Sequence, residues 1–314
     1  MNTTLTRSSS MSYSHLNQPQ IVSNIDKLVR GTLSNRLNFE EIRNLLNHLY
    51  HPFMNNLDEE LDYSETANAF IYSTNSIVGD SYPYDVFWDY NKTQCFIDSL
   101  SCYENDIDIK DNLWRDQEVA NKEELETYIR ELINHYSKLL FVYVDLKYTT
   151  EKSHLVNIET FHDHMNHIRD HIGNKKTCFE HLQGYAWALE QGDENAGLHC
   201  HLLLIYDGSE RQNDYYLGKE VGEKWRRITG GIGTYYNWNT SSNKRKYDRQ
   251  NLLGIGMIHR NNPLEVENAV RTALYLTKPE KSGQQLKVMI PDMRTFGHGR
   301  YRNTKRRGLS LITK

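Results

Sequence analysis

Residues 198–206 form an apolar run that is entered by two histidines, His199 and His201, on either side of Cys200. A run of this length and composition, preceded by Gly197, reads as a strand buried inside a sheet. Alternate side chains of a strand face the same way, so His199 and His201 point together to one face and Cys200 to the other. The chain must then supply neighbouring strands for both edges. Residues 184–190 (GYAWALE) read as one of them, joined to the histidine strand across a turn-like stretch over 192–197. That hairpin would bring Glu190 beside both imidazoles. Two imidazoles and a carboxylate, with coordination positions left open, suit a divalent ion acting as a Lewis acid. The ligand types alone leave zinc open.

The rest of the second half is regular enough to build a sheet around this hairpin. Residues 139–148 (LLFVYVDLKY) read as a strand, 159–172 as a helix, and 215–228 as an amphipathic helix with Leu217, Val221 and Trp225 on one stripe. Residues 233–238 and 252–259 are further strands. Asn262-Pro263 is a helix start, since Asn is a favoured cap and Pro a favoured first residue. That helix should end near Pro279. Strands interrupted by helices around a central hairpin give an α+β fold, an antiparallel sheet with helices on one face.

The first half reads differently. Residues 1–20 are rich in Ser, Thr and Asn and are expected to be disordered. Residues 21–57 carry two helical patterns, Ile25-Leu28-Val29-Leu33 and Phe39-Ile42-Leu45-Leu46-Leu49. Residues 58–118 mix acidic clusters with aromatics and support no assignment. Asn121 reads as the cap of a helix running to about residue 138, with Glu123, Glu124 and Glu126 in its first turns. Residues 21–129 therefore form an acidic, partly helical accessory region, residues 130–305 the main domain, and residues 306–314 a basic tail.

Charge divides along the same line. Residues 1–138 carry 11 basic against 22 acidic side chains, and residues 139–314 carry 26 against 19. The second half can therefore meet a polyanion. No acidic residue follows Asp292, while Arg294, Arg300, Arg302, Lys305, Arg306 and Arg307 accumulate. Such a tail is either a solvated end or a nucleic-acid contact. Tyr235, Tyr236 and Trp238 near Lys244, Arg245 and Lys246 suit single-stranded DNA by stacking and phosphate contact, and suit strand packing equally well. No apolar run approaches the length of a transmembrane helix. The four cysteines form no CxxC pair, which argues for a reducing compartment, the cytoplasm.

Tyr275 and Lys278, at i and i+3 of the last predicted helix, would share a face with Arg271, four residues before Tyr275. Cations beside a phenol can hold a phosphate oxygen for it. Val266, Ala269, Val270 and Ala273 mark the opposite, buried side. Two other features are weaker. His162, His164, His167 and His171 lie on one predicted helix, where a solvated polar face is the expected reading. Asp145, a carboxylate within an apolar strand, either orients a metal-bound histidine as an acceptor or caps the strand end beside Lys147.

Three segments, LLFVYVDLKY, GYAWALEQ…GLHCHLLLI and ALYLTK, resemble the ordered motifs of HUH endonucleases, the rolling-circle replication initiators with their relaxase and transposase relatives. More closely, residues from about 130 to 305 resemble the inovirus-type replication proteins, also described as the YagK/YfjJ C-terminal-domain family of phages and prophages. Val144-Asp145-Leu146, GYxWxxEQ, and Leu217-Gly218 with Trp225 carry that closer likeness. By the resemblance, His199, His201 and Glu190 bind Mg2+ or Mn2+, Tyr275 attacks the DNA, and Lys278 assists it. Asp145 would support a metal ligand, and Arg271, Lys244, Arg245, Lys246, Arg300 and Arg302 would contact DNA.

The resemblance implies an HUH-type fold and a nuclease that nicks and rejoins single-stranded origin DNA through a 5′-phosphotyrosine. A separate host helicase and replication machinery would be partners, as no Walker-type loop is present. Two departures stand out: Cys200 is smaller than the usual residue between the histidines, and Arg271 and Pro279 replace any second tyrosine one turn away. Rival expectations are a transposase or relaxase relative, and a DNA-binding phage or prophage regulator without cleavage.

Overall fold

The two most apolar runs pair along eight residues, and this pairing is the backbone of the molecule. In the computed structural model, which describes residues 17–192, 197–278 and 283–301, β2 (Lys138–Tyr148) and β4 (Leu198–Asp207) lie antiparallel, with Leu139 opposite Asp207 and Asp145 opposite His201. Strand β3 (Leu182–Gln191) pairs the other edge of β4 and places Glu190 opposite His199. The free edge of β2 is shared by β5 (Gly233–Asn237) and β6 (Gly256–His259), and β8 (Phe296–His298) closes the far edge on β3. Every pairing of this six-stranded sheet is antiparallel. The α+β expectation is met.

Side-chain alternation divides the sheet into two faces. Leu140, Val142 and Val144 face one way with Cys200, Leu202 and Leu204, and meet Phe161 and Ile168 of α6 (Ile158–Asn174) and Trp225 of α7 (Asp214–Ile228). Two of the expected helices thus cover this face, but helices are not confined to it, since the other face is covered as well. The same buried cluster continues into α1 (Gln18–Leu33), α2 (Phe39–Met54), α3 (Glu65–Val78) and α4 (Tyr90–Leu100). On the opposite face, Phe141, Tyr143, Ala188 and Leu203 pack against α5 (Glu104–His135) and α9 (Pro263–Ala273). Fully burying one such aliphatic or aromatic side chain is worth about 1.5–3 kcal/mol. Both layers therefore contribute to holding the sheet.

The structure corrects several sequence expectations. Asn121 caps nothing: α5 runs unbroken from Glu104 to His135, and the Asn121 amide bonds the Glu118 carboxylate within it. No Pro or Gly occurs in that stretch, so helix propensity overrides the capping signal. The boundary placed at residue 130 falls inside this helix. Residues 17–20, expected to be disordered, are ordered: Asn17 caps α1 in a capping box and its amide reaches the Ser153 and Val156 carbonyls. Residues 1–16 and 302–314, which include Arg302, lie outside the described residues. Residues 58–118 yield α3, α4, the start of α5 and a two-residue strand β1 (Asp62–Tyr63), which pairs with β7 (Val288–Met289). Lys244-Arg245-Lys246 lie on a short helix, α8 (Ser241–Asp248).

Strand β6 is four residues, shorter than the run over 252–259, because Gly256 has φ +87 and Gly254 must approach α9 closely. A Cβ at Gly254 would collide with the Asn268 carbonyl and the Thr272 hydroxyl. Gly254→Ala should therefore destabilise the fold by about 1–3 kcal/mol. Urea denaturation of the two proteins measures this directly, and an unchanged midpoint would contradict it.

Candidate metal centre and nucleophile

Register alone brings the three ligand candidates together. Glu190 and His199 are cross-strand partners, and His201 lies two residues on along the same face. All three are buried, at 7% exposure each, and their donor atoms lie within 4.8 Å of one another. Among the described residues this is the only group of three His, Cys, Asp or Glu side chains so placed. Glu190 Oε2 stands 3.4 Å from His199 Nε2 and 3.1 Å from His201 Nε2.

The outer ring nitrogens are anchored. His201 Nδ1 donates to Asp145 Oδ1 at 2.6 Å, and His199 Nδ1 donates to the Gly197 carbonyl at 3.2 Å. Both histidines thus present Nε2 to the shared space, the arrangement in which a carboxylate or carbonyl fixes a ligating imidazole. The residues fit a divalent cation held by two Nε2 atoms and the Glu190 carboxylate, with other positions open. Its identity follows from none of these contacts.

Asp145 resolves one open question of the sequence. Its Oδ2 accepts from the Trp238 indole N–H at 2.9 Å, with the Lys147 ammonium 3.7 Å away. Burial pushes this carboxyl up, but His201, Trp238 and Lys147 outweigh it and hold Asp145 below the usual carboxylate range. The carboxylate accepts from His201 and neighbours Lys147, but it caps no strand end, since β2 runs on to Tyr148 and pairs at Asp145 on both sides. Trp238, considered for stacking on DNA, instead spends its N–H on Asp145. Only the three-dimensional register shows this, because β5 ends at Asn237 and Trp238 continues from it. Asp145→Asn should weaken divalent-metal affinity about 10–100-fold while leaving the fold intact; metal titration with circular dichroism on the same sample checks both.

His201 also carries a pH signature. Burial alone would lower its pKa, yet hydrogen bonds and charge from Asp145 and Glu190 raise it above the usual imidazole range. Without metal, His201 therefore keeps its second proton to higher pH than a free imidazole and donates to both carboxylates. A cation bound at Nε2 must displace that proton. Metal uptake should release protons, and affinity should fall as pH drops through the raised His201 range. Calorimetry in two buffers of different ionisation enthalpy reads the proton count, and a count of zero at neutral pH would contradict it.

Tyr275 lies at the open side of this centre. Helix α9 stops at Ala273, and Tyr275 sits in a 3-10 turn over Leu274–Leu276, earlier than the Pro279 stop expected from sequence. Its ring is 6.0 Å from the His201 ring, edge to face, and Tyr275 is 41% exposed. Lys278 does not follow on a shared α-helical face; its ammonium stands over the Tyr275 ring, 4.3 Å from the centroid. The tight turn is what lets a residue at the helix end overhang the sheet.

The remaining predicted contacts are scattered. Arg271 is exposed on α9 and lines a groove of about 310 Å³ with Arg130, Glu267 and Lys278. Arg245, Lys246 and Arg300 are exposed. Lys244 is engaged elsewhere, 2.8 Å from the buried Asp214. His164 bonds the Tyr148 hydroxyl and packs against Trp225, so the helix of four histidines assembles no ligand set among the described residues. Gln191, next to Glu190 but on the opposite face, donates to the Pro19 carbonyl and accepts from the Lys287 N–H. It ties α1 and β7 to the hairpin that carries the ligands.

No helix among the described residues is long and apolar enough to cross a membrane. No curated protein and no solved structure matches the chain. Residues 109–299, more than half of the sequence, match the family model of the YagK/YfjJ C-terminal domain. The whole of the site, from Asp145 on β2 to Lys278 after the 3-10 turn, falls inside that span, and the chain belongs to the YagK/YfjJ C-terminal domain family.

Proposed function

We propose that the protein is a metal-assisted, single-tyrosine HUH endonuclease that initiates rolling-circle replication by nicking and rejoining single-stranded origin DNA. The observation that carries this reading is the convergence of Glu190, His199 and His201 on one sheet face with the Tyr275 ring 6.0 Å from His201. Mg2+ or Mn2+, when bound, supplies Lewis-acid polarisation of a phosphoryl oxygen. Asp145 and Trp238 hold His201 in orientation, and Glu190 adds negative charge to the ligand set. Lys278 holds the Tyr275 ring through its π face.

In the reaction, the Tyr275 oxygen forms a bond to phosphorus as the bond from phosphorus to the 3′-oxygen breaks. The phenolic proton is lost, and the 3′-oxygen gains one to become a free hydroxyl. The products are a 5′-phosphotyrosine and a 3′-hydroxyl that serves as primer, and the reverse attack rejoins the strand. The exchange of one phosphodiester for another conserves its energy, so joining needs no ATP. A separate host helicase and replication machinery complete the process, in the cytoplasm.

The exposed Arg245, Lys246, Arg271 and Arg300 contact the strand in this reading. Each neutralised phosphate adds about −0.7 to the slope of log affinity against log salt for single strands. Mixing the full-length protein with labelled single-stranded origin DNA and Mn2+ or Mg2+ should give a covalent protein–DNA species that survives denaturing electrophoresis. Chelator should abolish the species. DNA binding without any covalent species would favour a non-catalytic regulator.

A further inference from the structure

Tyr143 occupies β2 two residues before Asp145 and therefore faces the same side of the sheet. It is 4% exposed, and its hydroxyl is enclosed with no hydrogen-bond partner among the described residues. Its surroundings are not those of an ordinary core tyrosine. The ring is 6.2 Å from His201 and 6.4 Å from Trp238, the two groups that meet on Asp145. His201 is thus the common neighbour of Tyr143 and Tyr275. The backbone is held from both sides: the Tyr143 N–H donates to Asn239 Oδ1 at 2.8 Å, and its carbonyl accepts from the Trp238 N–H at 3.1 Å.

A buried hydroxyl without a partner costs stability, and Phe would fill the same space without that cost. A polar group retained against this cost, on the face that carries the ligands, points to a partner that arrives from outside. Burial, followed by the nearby charges of Asp145, Glu190 and Tyr275, drives the Tyr143 pKa far up.

We infer that the Tyr143 hydroxyl donates a hydrogen bond to a non-bridging oxygen of the phosphodiester seated between the ligand set and Tyr275. The inference rests on the nuclease reading above and adds a substrate-contacting residue to it. The donor is fixed in place before substrate enters, so its contribution costs no reorganisation at the moment of reaction.

The test compares full-length wild type with Tyr143→Phe in three measurements. First, thermal melting without metal should give an equal or higher midpoint for the variant, since only an unpartnered hydroxyl is lost. Second, calorimetric titration of Mn2+ should give the same affinity for both, and titration of inorganic phosphate into the Mn2+-loaded proteins should show about a tenfold loss in the variant. Third, covalent DNA adduct should form at least tenfold more slowly. A lower melting midpoint would assign the hydroxyl a structural role and overturn the inference, as would unchanged phosphate affinity. Metal uptake is scored separately. If wild type takes up no Mn2+, the metal reading falls; equal phosphate affinities of the two metal-free proteins would then overturn the Tyr143 assignment, and a weaker variant would uphold it.

Discussion

Tyr275→Phe should abolish the covalent DNA adduct, a loss of at least about 1,000-fold in its rate of formation, while DNA affinity stays within about threefold. The substitution keeps the ring that Lys278 covers at 4.3 Å and that meets the His201 ring edge to face, so the 3-10 turn keeps its packing. At 41% exposure the position contributes little to the core, and stability should change by less than about 0.5 kcal/mol. Only the nucleophilic oxygen is removed. An adduct that persists in the variant would send the search to another of the tyrosines on this face of the sheet.

Removing a metal ligand should have the second-largest effect, and the two histidines differ as probes. His201 is sandwiched between Asp145 and Glu190, so His201→Ala leaves two buried carboxylates without their shared donor. Breaking a buried pair in this way costs about 3–5 kcal/mol, and any loss of activity would be mixed with loss of fold. His199 stands 3.4 Å from Glu190, bonds the Gly197 carbonyl and packs its ring edge to face on His201, and no second carboxylate is bonded to it among the described residues. His199→Ala is the cleaner change. It should reduce Mn2+ affinity by at least about 100-fold, beyond the effect of an outer-shell partner, and remove metal-dependent nicking with the circular dichroism spectrum retained. Glu190→Gln should weaken binding by withdrawing a negative charge from the set. Nicking that survives both His199→Ala and chelator would reject metal assistance.

How far the sequence reaches depends on which interaction decides each element. Period-two alternation decides the strands, and there the reading holds: His199 and His201 share a face, and the hairpin sets Glu190 opposite His199. Nothing local, however, announces that β2 sets Asp145 opposite His201, because strand order comes from the packing of distant segments. Trp238 and Tyr143 join the site for the same reason. Their neighbours lie far along the chain, and an aromatic in an apolar strand looks like any core residue until the sheet is assembled.

The helices show the complementary failure. Asn121 followed by glutamates is a sound capping signal, yet nothing after Glu104 breaks the helix, and burial of Leu125, Ile129 and Leu132 against the sheet fixes the whole span. The Asn262-Pro263 start is found because capping chemistry is local and specific. The end of α9 is not, since the helix already stops at Ala273, where the 3-10 turn over Leu274–Leu276 meets β3 and α5. The acidic first half looked like a separate accessory region. Its helices share one buried cluster with a face of the sheet, and Ile25, Leu46 and Phe70 belong to it, a continuity that charge counting cannot register.

The central claim is that one tyrosine at the end of α9 becomes bonded to DNA under the control of a His-His-Glu metal centre. Tryptic mass spectrometry of the adduct made with labelled single-stranded origin DNA and Mn2+ tests it most directly. The peptide that begins at Thr272 contains a single tyrosine, Tyr275. That peptide should carry the mass of a 5′-linked nucleotide, fragmentation should place it on Tyr275, and the modification should be absent when chelator is added before the DNA. A nucleotide found on any other residue, or one that forms equally well with chelator present, would contradict the account.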